Sequence, residues 1–355
     1  MFHCWEQDTC LCMPMHFDFP GSADACEAKN QYFFGRQMLV SPVTHPVDSR
    51  TDSAVQRVWI PDGKWVDFVH GTTHHGPLWI EERFTLKQVP VFVREGAMWV
   101  EQAPKTRAGT GSFEQIRIVI ASRSDSSCSW NEDDGESTDY QNGRVARVEI
   151  EQAVDGLREQ IRARLQSPDA FPGFQPRREV SLRLPFRAPP RQILLDEKPI
   201  SFEKRDEDAP GSANPGWYFN GNRLEIIVTL GAIDLHDGFR VEIETCPQDA
   251  SVDTVDFVRR MTRLRHAWSI AQTGACTASL TPCQRALPRL AQTGNRISHF
   301  PQNFARELAA FSQKWATVTD EHGRFVEELE KFRGSRRKLA IWRNRQAIAL
   351  LRETP

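Results

Sequence analysis

The chain has 355 residues, of which 39% are apolar, with 45 Lys and Arg against 47 Asp and Glu. This length and composition allow substantial buried cores and predict two or three domains. No apolar stretch approaches the ~20 residues of a membrane span and no signal peptide opens the chain, which predicts a soluble, cytoplasmic protein.

The first 250 residues contain mainly short strand-like segments. Residues 14–20 predict a strand closed by a proline, 23–31 a short helix and 37–43 another strand. The alternating runs 55–60 and 64–69 flank a Pro-Asp-Gly turn and predict a hairpin. Further strands are expected at 84–86, 89–93, 116–120, 145–150, 180–184, 192–195, 223–228 and 239–243. Many short strands separated by turn residues indicate β-sandwiches rather than βαβ units.

After Cys246 and Pro247 the apolar period changes to three or four residues. The runs 252–268, 304–315 and 325–332 therefore predict amphipathic helices. Loops are expected at 273–274 and 293–294, with Pro282 and Pro288 interrupting the segment between them.

Charge also divides the chain near residue 250. Residues 1–250 carry 27 Lys and Arg against 38 Asp and Glu, whereas residues 251–355 carry 18 against 9. Such asymmetry indicates separately built parts, and a basic part favours an anionic partner.

The eight cysteines are predicted to be free thiols, because no secretory signal precedes them. Cys4, Cys10 and Cys12 lie close together, but they lack the C-x-x-C spacing of structural zinc sites. We therefore assign no metal and no cofactor to them.

The acidic segment 129–140 is a glycine-centred turn between two strand-like runs, and it resembles a segment of glycoside hydrolase family 31, the retaining α-glucosidases and α-xylosidases. Other segments resemble this family in the same order. Residues 15–20 resemble the last barrel strand, 32–43 the exit from the barrel, 58–68 and 89–96 the proximal C-terminal domain, and 171–182 and 189–198 the distal C-terminal domain. The resemblance covers roughly residues 14–245.

This resemblance implies a mainly β fold with two β-sandwich domains. It implies an irregular N-terminus with a remnant of the last barrel strand (1–40), a proximal sandwich (41–104) and a distal sandwich (105–247). Residues 248–355 lie beyond the family-like part and form a basic helical extension.

The resemblance carries over no catalytic residue. Family members use an aspartate nucleophile and a second carboxyl group as acid/base, both on barrel strands upstream of the matched segments. A retaining mechanism requires these groups about 5–5.5 Å apart. The nucleophile motif is missing here, and one strand cannot present two opposed carboxylates. We interpret Asp18 as a strand-end residue and predict an accessory region that is inactive alone.

Two clusters contain the residue types of metal sites. Asp133 and Asp134 could bind calcium, but their spacing differs from an EF-hand, and Asp and Gly favour tight turns. His74 and His75 are adjacent and point to opposite faces of a strand, with His70 nearby. We predict that Asp133 and Asp134 form a solvated turn and that the three histidines belong to a structural loop.

The alternative function is a non-catalytic module that binds carbohydrate or another protein. Trp79, Trp99, Trp130 and Trp217, taken as exposed, are candidates for stacking on sugar rings, although core packing is the usual role of tryptophan in sandwiches.

The helical tail suggests further partners. Its basic residues are Arg333, Arg336, Arg337, Lys338, Arg343, Arg345 and Arg352, and they favour phosphate groups. Glu327, Glu328 and Glu330 interleave with them, so we expect docking onto the acidic body or self-association rather than nucleic-acid binding. A catalytic barrel supplied by another chain would complete an enzyme for terminal α-linked glucose or xylose.

Overall fold

The computed structural model describes residues 9–102, 114–167, 170–205, 214–254, 256–272, 282–330 and 335–352, together with Cys4 and Glu6. The chain divides into two compact units. The sandwich unit contains residues 94–252 with 1–10 and 298–302, and the mixed unit contains 11–93 with 253–297 and 303–355. The helical residues 253–297 and 303–355 therefore belong to the same unit as the first sheet.

The mixed unit contains one six-stranded sheet. Its strands are β1 (Cys12–Pro14), β2 (Tyr32–Phe34), β3 (Met38–Val40), β4 (Ala54–Asp67), β5 (Thr73–Phe84) and β6 (Val91–Arg94), in the order β1-β2-β3-β6-β4-β5. Phe33, Leu39, Ile60, Trp65 and Phe92 form its fully buried core. Aromatic and aliphatic side chains of this size supply most of the burial energy of such a core.

The hairpin predicted for residues 55–69 is wrong. Ala54–Asp67 is one long strand that pairs antiparallel with Thr73–Phe84, and the register shifts between Ile60 and Gly63. The Pro-Asp-Gly sequence therefore forms an irregularity inside a strand. Across from it, a Cβ at Gly76 would collide with the Pro61 carbonyl, so glycine permits the close approach of the two strands.

The chain reverses instead after β4. Asp67 Oδ1 accepts hydrogen bonds from the main-chain N–H groups of Val69 at 2.8 Å and His70 at 3.1 Å. An aspartate that binds its own backbone in this way stabilises a turn. The strand expected at 84–86 is likewise wrong, since β5 ends at Phe84 and Thr85 N–H donates to Gln88 Oε1 in the next turn.

The strand predicted for residues 14–20 is also wrong. Met15–Asp18 forms a short helix, α1, so Asp18 is not a strand-end residue. Helical residues turn about 100° per position, which places Met15 and Phe19 on one side and Phe17 on the other. Met15 is buried and Phe19 packs edge-on against Trp59, whereas Phe17 is 67% exposed. The next helix, α2 (Ala23–Glu27), begins where expected and is shorter than residues 23–31.

The sandwich unit contains two six-stranded sheets. Their strands are β7 (Met98–Gln102), β8 (Gln115–Ile120), β9 (Ser126–Glu132), β10 (Ala146–Asp155), β11 (Arg158–Leu165), β12 (Arg177–Leu184), β13 (Pro190–Leu195), β14 (Lys198–Pro199), β15 (Ser201–Phe202), β16 (Gly216–Asn220), β17 (Glu225–Asp234) and β18 (Phe239–Thr245). The sheet orders are β14-β13-β18-β11-β10-β9 and β15-β16-β17-β12-β8-β7. The strands expected at 116–120, 145–150, 180–184, 192–195, 223–228 and 239–243 are confirmed.

The C-terminal part is helical, as the apolar period predicts. Its helices are α3 (Pro247–Ala250), α4 (Phe257–Gln272), α5 (Pro282–Ala291), α6 (Thr293–His299), α7 (Phe304–Glu330) and α8 (Ser335–Arg352). Helix α4 packs against α5 and α8, and α7 packs against the same two helices. The prediction of a mainly β chain followed by amphipathic helices is confirmed.

The predicted breaks between these helices are partly wrong. Pro282 begins α5, where its missing N–H is tolerated, and Pro288 lies inside that helix. Buried Leu287 and Leu290 hold α5 in place around this proline. The loop expected at 293–294 is the start of α6, and the loop expected at 273–274 lies outside the described residues. None of the described helices combines the length and apolar character of a membrane span.

A buried polar pair connects the two last helices. His322 on α7 is 2% exposed, and its Nε2 lies 2.9 Å from Oδ1 of the buried Asn344 on α8. Burial lowers the pKa of His322, because the charged imidazolium loses its hydration, and the hydrogen bond with Asn344 opposes this effect only in part.

We predict that the free energy of unfolding decreases as the pH falls below about 6.5, where the unfolded chain protonates His322 and the folded chain does not. The decrease should continue until the pH reaches the lowered folded-state pKa. Urea unfolding between about pH 7 and pH 5 measures this dependence.

His322→Gln replaces the imidazole N–H donor with an amide N–H donor and removes the titrating group, so it should flatten the pH dependence. His75→Gln, at an exposed position, is the matched control and should leave the slope unchanged. Equal slopes for the parent chain and His322→Gln would contradict the prediction.

Candidate functional site

The sandwich unit has a polar depression of about 550 Å³ on the outer face of one sheet. It crosses four neighbouring strands, β13, β18, β11 and β10. Ile161, Ile193 and Val241 on these strands are fully buried toward the core. Because successive side chains point to opposite faces of a sheet, the residues between them line the depression.

The strand register arranges the lining side chains in two rows. The first row across the strands is Ala153, Gln160, Glu242 and Leu194. The second row is Asp155, Arg158, Glu244 and Gln192. Directly opposed residues on one face lie close enough to act on the same ligand.

The side chains of these rows form mostly loose, solvent-exposed contacts. Gln160 Nε2 donates to Glu242 Oε1 at 3.4 Å, and Glu242 also pairs with Arg240. Arg191 Nη1 lies 3.9 Å from Glu244 Oε1. The residues that line the depression include amides, carboxylates and guanidinium groups, and none of them is aromatic. The surface therefore offers hydrogen-bond donors and acceptors side by side.

A second polar site, the Glu82 cluster, is buried in the mixed unit. It comprises Glu82 on β5 with Arg259 and Arg263 on α4. The Glu82 side chain is 5% exposed, its Oε2 lies 3.1 Å from Arg259 Nη1 and its Oε1 lies 2.7 Å from Arg263 Nη2. Burial by itself would raise the pKa of Glu82. The nearby His70 and the hydrogen bonds from the Arg83 N–H and Arg263 outweigh it, so the pKa is lowered.

The three histidines near this cluster do not converge on one point. His70 Nδ1 lies 2.8 Å from Asp67 Oδ2, and both side chains are buried. His74 lies beside Thr72, and burial lowers its pKa, whereas His75 is exposed. Among the residues that the structure describes, no group of three His, Cys, Asp or Glu side chains is placed to bind a metal ion.

The acidic turn uses its carboxylates to bind its own backbone. Asp133 Oδ1 accepts from Gly135 N–H at 2.9 Å, and Asp134 Oδ1 accepts from the N–H groups of Glu136 and Ser137 at 3.1 and 3.0 Å. The hydrogen bonds from Ser137 lower the pKa of Asp134 most. Gly135 adopts a positive φ of 68°, which this tight turn requires.

The expectation that four tryptophans are exposed is wrong. Trp217 is 7% exposed, and Trp79, Trp99 and Trp130 are half-buried. The Arg57 guanidinium lies 3.9 Å above the Trp79 ring, whose Nε1–H donates to an aspartate. These indoles pack within the protein and make polar contacts there, as amphipathic rings do when they are partly buried.

Sequence reasoning missed a buried ion pair between Arg178 and Glu132. Arg178 Nη2 donates to both Glu132 oxygens, at 3.0 and 2.9 Å, and Arg178 Nε donates to the Gln175 carbonyl at 2.7 Å. Burial raises the pKa of Glu132, and the Arg178 charge opposes this shift. The one sequence signal for this ion pair was that Glu132 and Trp130, two residues apart, lie on the same face of a strand. The Trp130 ring lies under the Arg178 guanidinium.

The basic tail is only partly described. Arg345 and Arg352 are exposed, Arg343 is half-buried, and Arg352 Nη2 lies 3.9 Å from Asp320. Arg333 lies outside the described residues. So do the side chains of Arg336, Arg337 and Lys338. Six cysteines are free thiols, as the sequence predicts: Cys4, Cys10, Cys12, Cys26, Cys128 and Cys246.

Comparison with known proteins identifies the family of the first sheet. A family model described as the glycosyl hydrolase family 31 C-terminal domain matches residues 8–98. The alpha-xylosidase of Saccharolobus solfataricus is 26% identical over 139 residues, which are 39% of this chain and 18% of that protein. Alpha-xylosidase XylQ of Lactiplantibacillus pentosus is 25% identical over 113 residues, which are 31% of this chain and 14% of that protein.

This chain carries a glycosyl hydrolase family 31 C-terminal domain. The resemblance inferred from the sequence is therefore confirmed. The chain matches less than a fifth of the length of either α-xylosidase.

The fold of this chain is similar to that of a solved family 31 enzyme. The family 31 dextranase of Flavobacterium johnsoniae superposes with a TM-score of 0.57 at 18% identity, over 69% of this chain and 30% of that chain. This likeness concerns the fold alone.

We predict that Glu82→Gln lowers the free energy of unfolding by about 3–5 kcal/mol, because it removes the buried carboxylate that the Arg259 and Arg263 guanidinium groups share. Denaturant unfolding at neutral pH measures the change. Glu81→Gln, on the same strand and exposed, should change stability by less than about 0.5 kcal/mol. Equal effects of the two variants would show that the buried ion pairs do not stabilise the unit.

A second prediction concerns thiol reactivity. Burial, with the nearby Glu149 charge, raises the pKa of Cys128 to about 12. Since the thiolate is the reactive form, iodoacetamide should modify the exposed Cys10, Cys12 and Cys26 well before Cys128. Peptide mass spectrometry over a time course gives the order, and early labelling of Cys128 would refute the assignment.

Proposed function

We propose that this chain supplies the non-catalytic C-terminal part of a retaining α-glycosidase and does not hydrolyse glycosides by itself. The family match to a C-terminal domain is the observation that carries the proposal. Two of the similar proteins are α-xylosidases, which supports terminal α-linked xylose, beside α-linked glucose, as a sugar of the complete enzyme.

The chemistry of the described carboxyl groups supports an accessory role. A retaining glycosidase needs a nucleophile and an acid/base about 5–5.5 Å apart, and the acid works best with a raised pKa. Among the described residues, Glu132 is a carboxyl group whose pKa burial raises, but Arg178 occupies both of its oxygens. Asp18 is exposed on α1.

An accessory domain acts by supporting a catalytic domain through contact surfaces. In the mixed unit, Phe17 and Phe34 are large aromatic side chains with exposed fractions of 67% and 42%. Exposed aromatic residues of this kind favour burial against a partner surface. We take them as contacts for a catalytic barrel that lies in another chain or another part of the enzyme.

The purified chain should release no more nitrophenol from p-nitrophenyl α-xyloside or α-glucoside than a blank. Added to a family 31 catalytic segment that lacks its C-terminal domain, it should restore hydrolysis. Hydrolysis by the chain alone would refute the accessory role.

The partner surface can be tested in the same assay. Phe17→Asp should weaken the restored activity, since it places a charge in the contact surface. Thr73→Asp, at an exposed polar position of β5, is the control for surface charge and should leave activity unchanged. Full restoration by Phe17→Asp would exclude Phe17 from the contact.

A further inference from the structure

We propose that the polar depression on β13, β18, β11 and β10 binds a neutral oligosaccharide chain laid across the four strands. The choice of a sugar as the ligand rests on the proposed function, because the enzyme family acts on sugars. It assigns sugar contact to the sandwich unit, at a site outside the residues that match the family domain.

The dimensions of the depression suit an extended ligand. Neighbouring strands lie about 4.8 Å apart, so four strands span about 14 Å. The two rows of side chains are separated by two positions along each strand, or about 7 Å. A chain of several sugar units placed along the rows would contact both of them, whereas a single sugar would reach only part of either row.

The side-chain chemistry suits vicinal hydroxyl groups. In the second row, the carboxylates of Asp155 and Glu244 flank Arg158, and the Gln192 amide follows. Each hydroxyl both donates and accepts a hydrogen bond, so it needs acceptor and donor side chains next to each other. Planar carboxylate, amide and guanidinium groups can bind two neighbouring hydroxyls at once.

The first row adds apolar contact at its ends. Ala153 and Leu194 stand on either side of the hydrogen-bonded Gln160 and Glu242. A sugar ring has apolar C–H faces as well as hydroxyls, so small aliphatic side chains beside polar ones match its surface. The depression lacks an aromatic platform, which predicts weak binding that depends on hydrogen bonds.

The charges of the depression select against anionic ligands. Asp125, Asp155, Glu159, Glu242 and Glu244 line it together with Arg158 and Arg240, so acids exceed bases. Phosphate-bearing ligands would be repelled. The small apolar area at the ends of one row is also insufficient for a lipid or an amphipathic helix, both of which need a broad apolar surface.

The test is a calorimetric titration of the full chain with maltoheptaose and, separately, with glucose. We expect saturable binding of maltoheptaose, at least about 10-fold tighter than binding of glucose, because only the longer ligand contacts the full length of the two rows. Equal affinity for the two sugars, or no saturable binding of maltoheptaose, would overturn the proposal.

Variants locate the binding on the sheet. Arg158→Ala and Gln160→Ala should each weaken maltoheptaose binding by about 5-fold or more. Arg162→Ala and Glu151→Ala are matched controls, because both residues are exposed on the same sheet and do not line the depression. Undiminished binding by Arg158→Ala and Gln160→Ala, with a native circular dichroism spectrum, would overturn the assignment to this surface.

This test is separate from that of the accessory role. Binding is measured without hydrolysis, so a failure to bind leaves the accessory role intact. Hydrolysis by the chain alone would refute the accessory role and leave the measured affinity unaffected.

Discussion

The burial of one carboxylate, Glu82, determines how the mixed unit is built. Arg259 and Arg263 reach Glu82 from helix α4, across 177 and 181 residues of sequence. A charge inside a protein costs several kcal/mol unless partners of opposite charge accompany it. The helices must therefore stay on the sheet while Glu82 remains buried. Two weaker contacts support the same arrangement, as His266 approaches the Thr51 carbonyl and Gln346 donates to the Ser49 carbonyl.

This arrangement changes the interpretation of the basic tail. The excess of Lys and Arg after residue 250 suggested a surface that seeks an anionic partner. Two of these arginines instead neutralise a buried acid of the first sheet, and Arg259 also pairs with Asp256. Part of the charge asymmetry therefore reflects an internal ion-pair network. Sequence composition reports how many charges a segment has, but only the fold decides which of them face water.

Much of the fold could be predicted from period and composition. Strands such as Gln115–Ile120 and Phe239–Thr245 alternate apolar and polar residues, and the α7 residues Phe304, Leu308 and Phe311 recur at helical spacing. The errors arose where local signals opposed long-range pairing. Pro-Asp-Gly is a common turn sequence. Here, however, β4 pairs with β5 on both sides of it, and the three residues cause only a shift in strand register. Residues 14–20 alternate like a strand but form a helical turn, because Met15 and Phe19 pack on the same core.

The candidate site was harder to predict, since its rows join strands that are distant in sequence. Gln160 lies opposite Glu242, and Glu242 lies opposite Leu194, so a row exists only when the strand order β13-β18-β11-β10 is known. The tryptophans that suggested sugar binding are packed in the protein, whereas the polar depression has no aromatic residue to indicate it.

Exposure separates the arginine–glutamate pairs that support the fold from those that are free to act on a ligand. Arg178 with Glu132, like Arg259 with Glu82, is buried, and each glutamate accepts short hydrogen bonds. Replacing such a bond with one to a ligand would leave a buried charge unpaired, which the protein cannot tolerate. Arg158 and Glu244 stand opposite each other on the outer face of the sheet, where water already solvates them. A hydroxyl of a sugar can replace that water at little cost, so the same residue types serve structure in the interior and recognition at the surface.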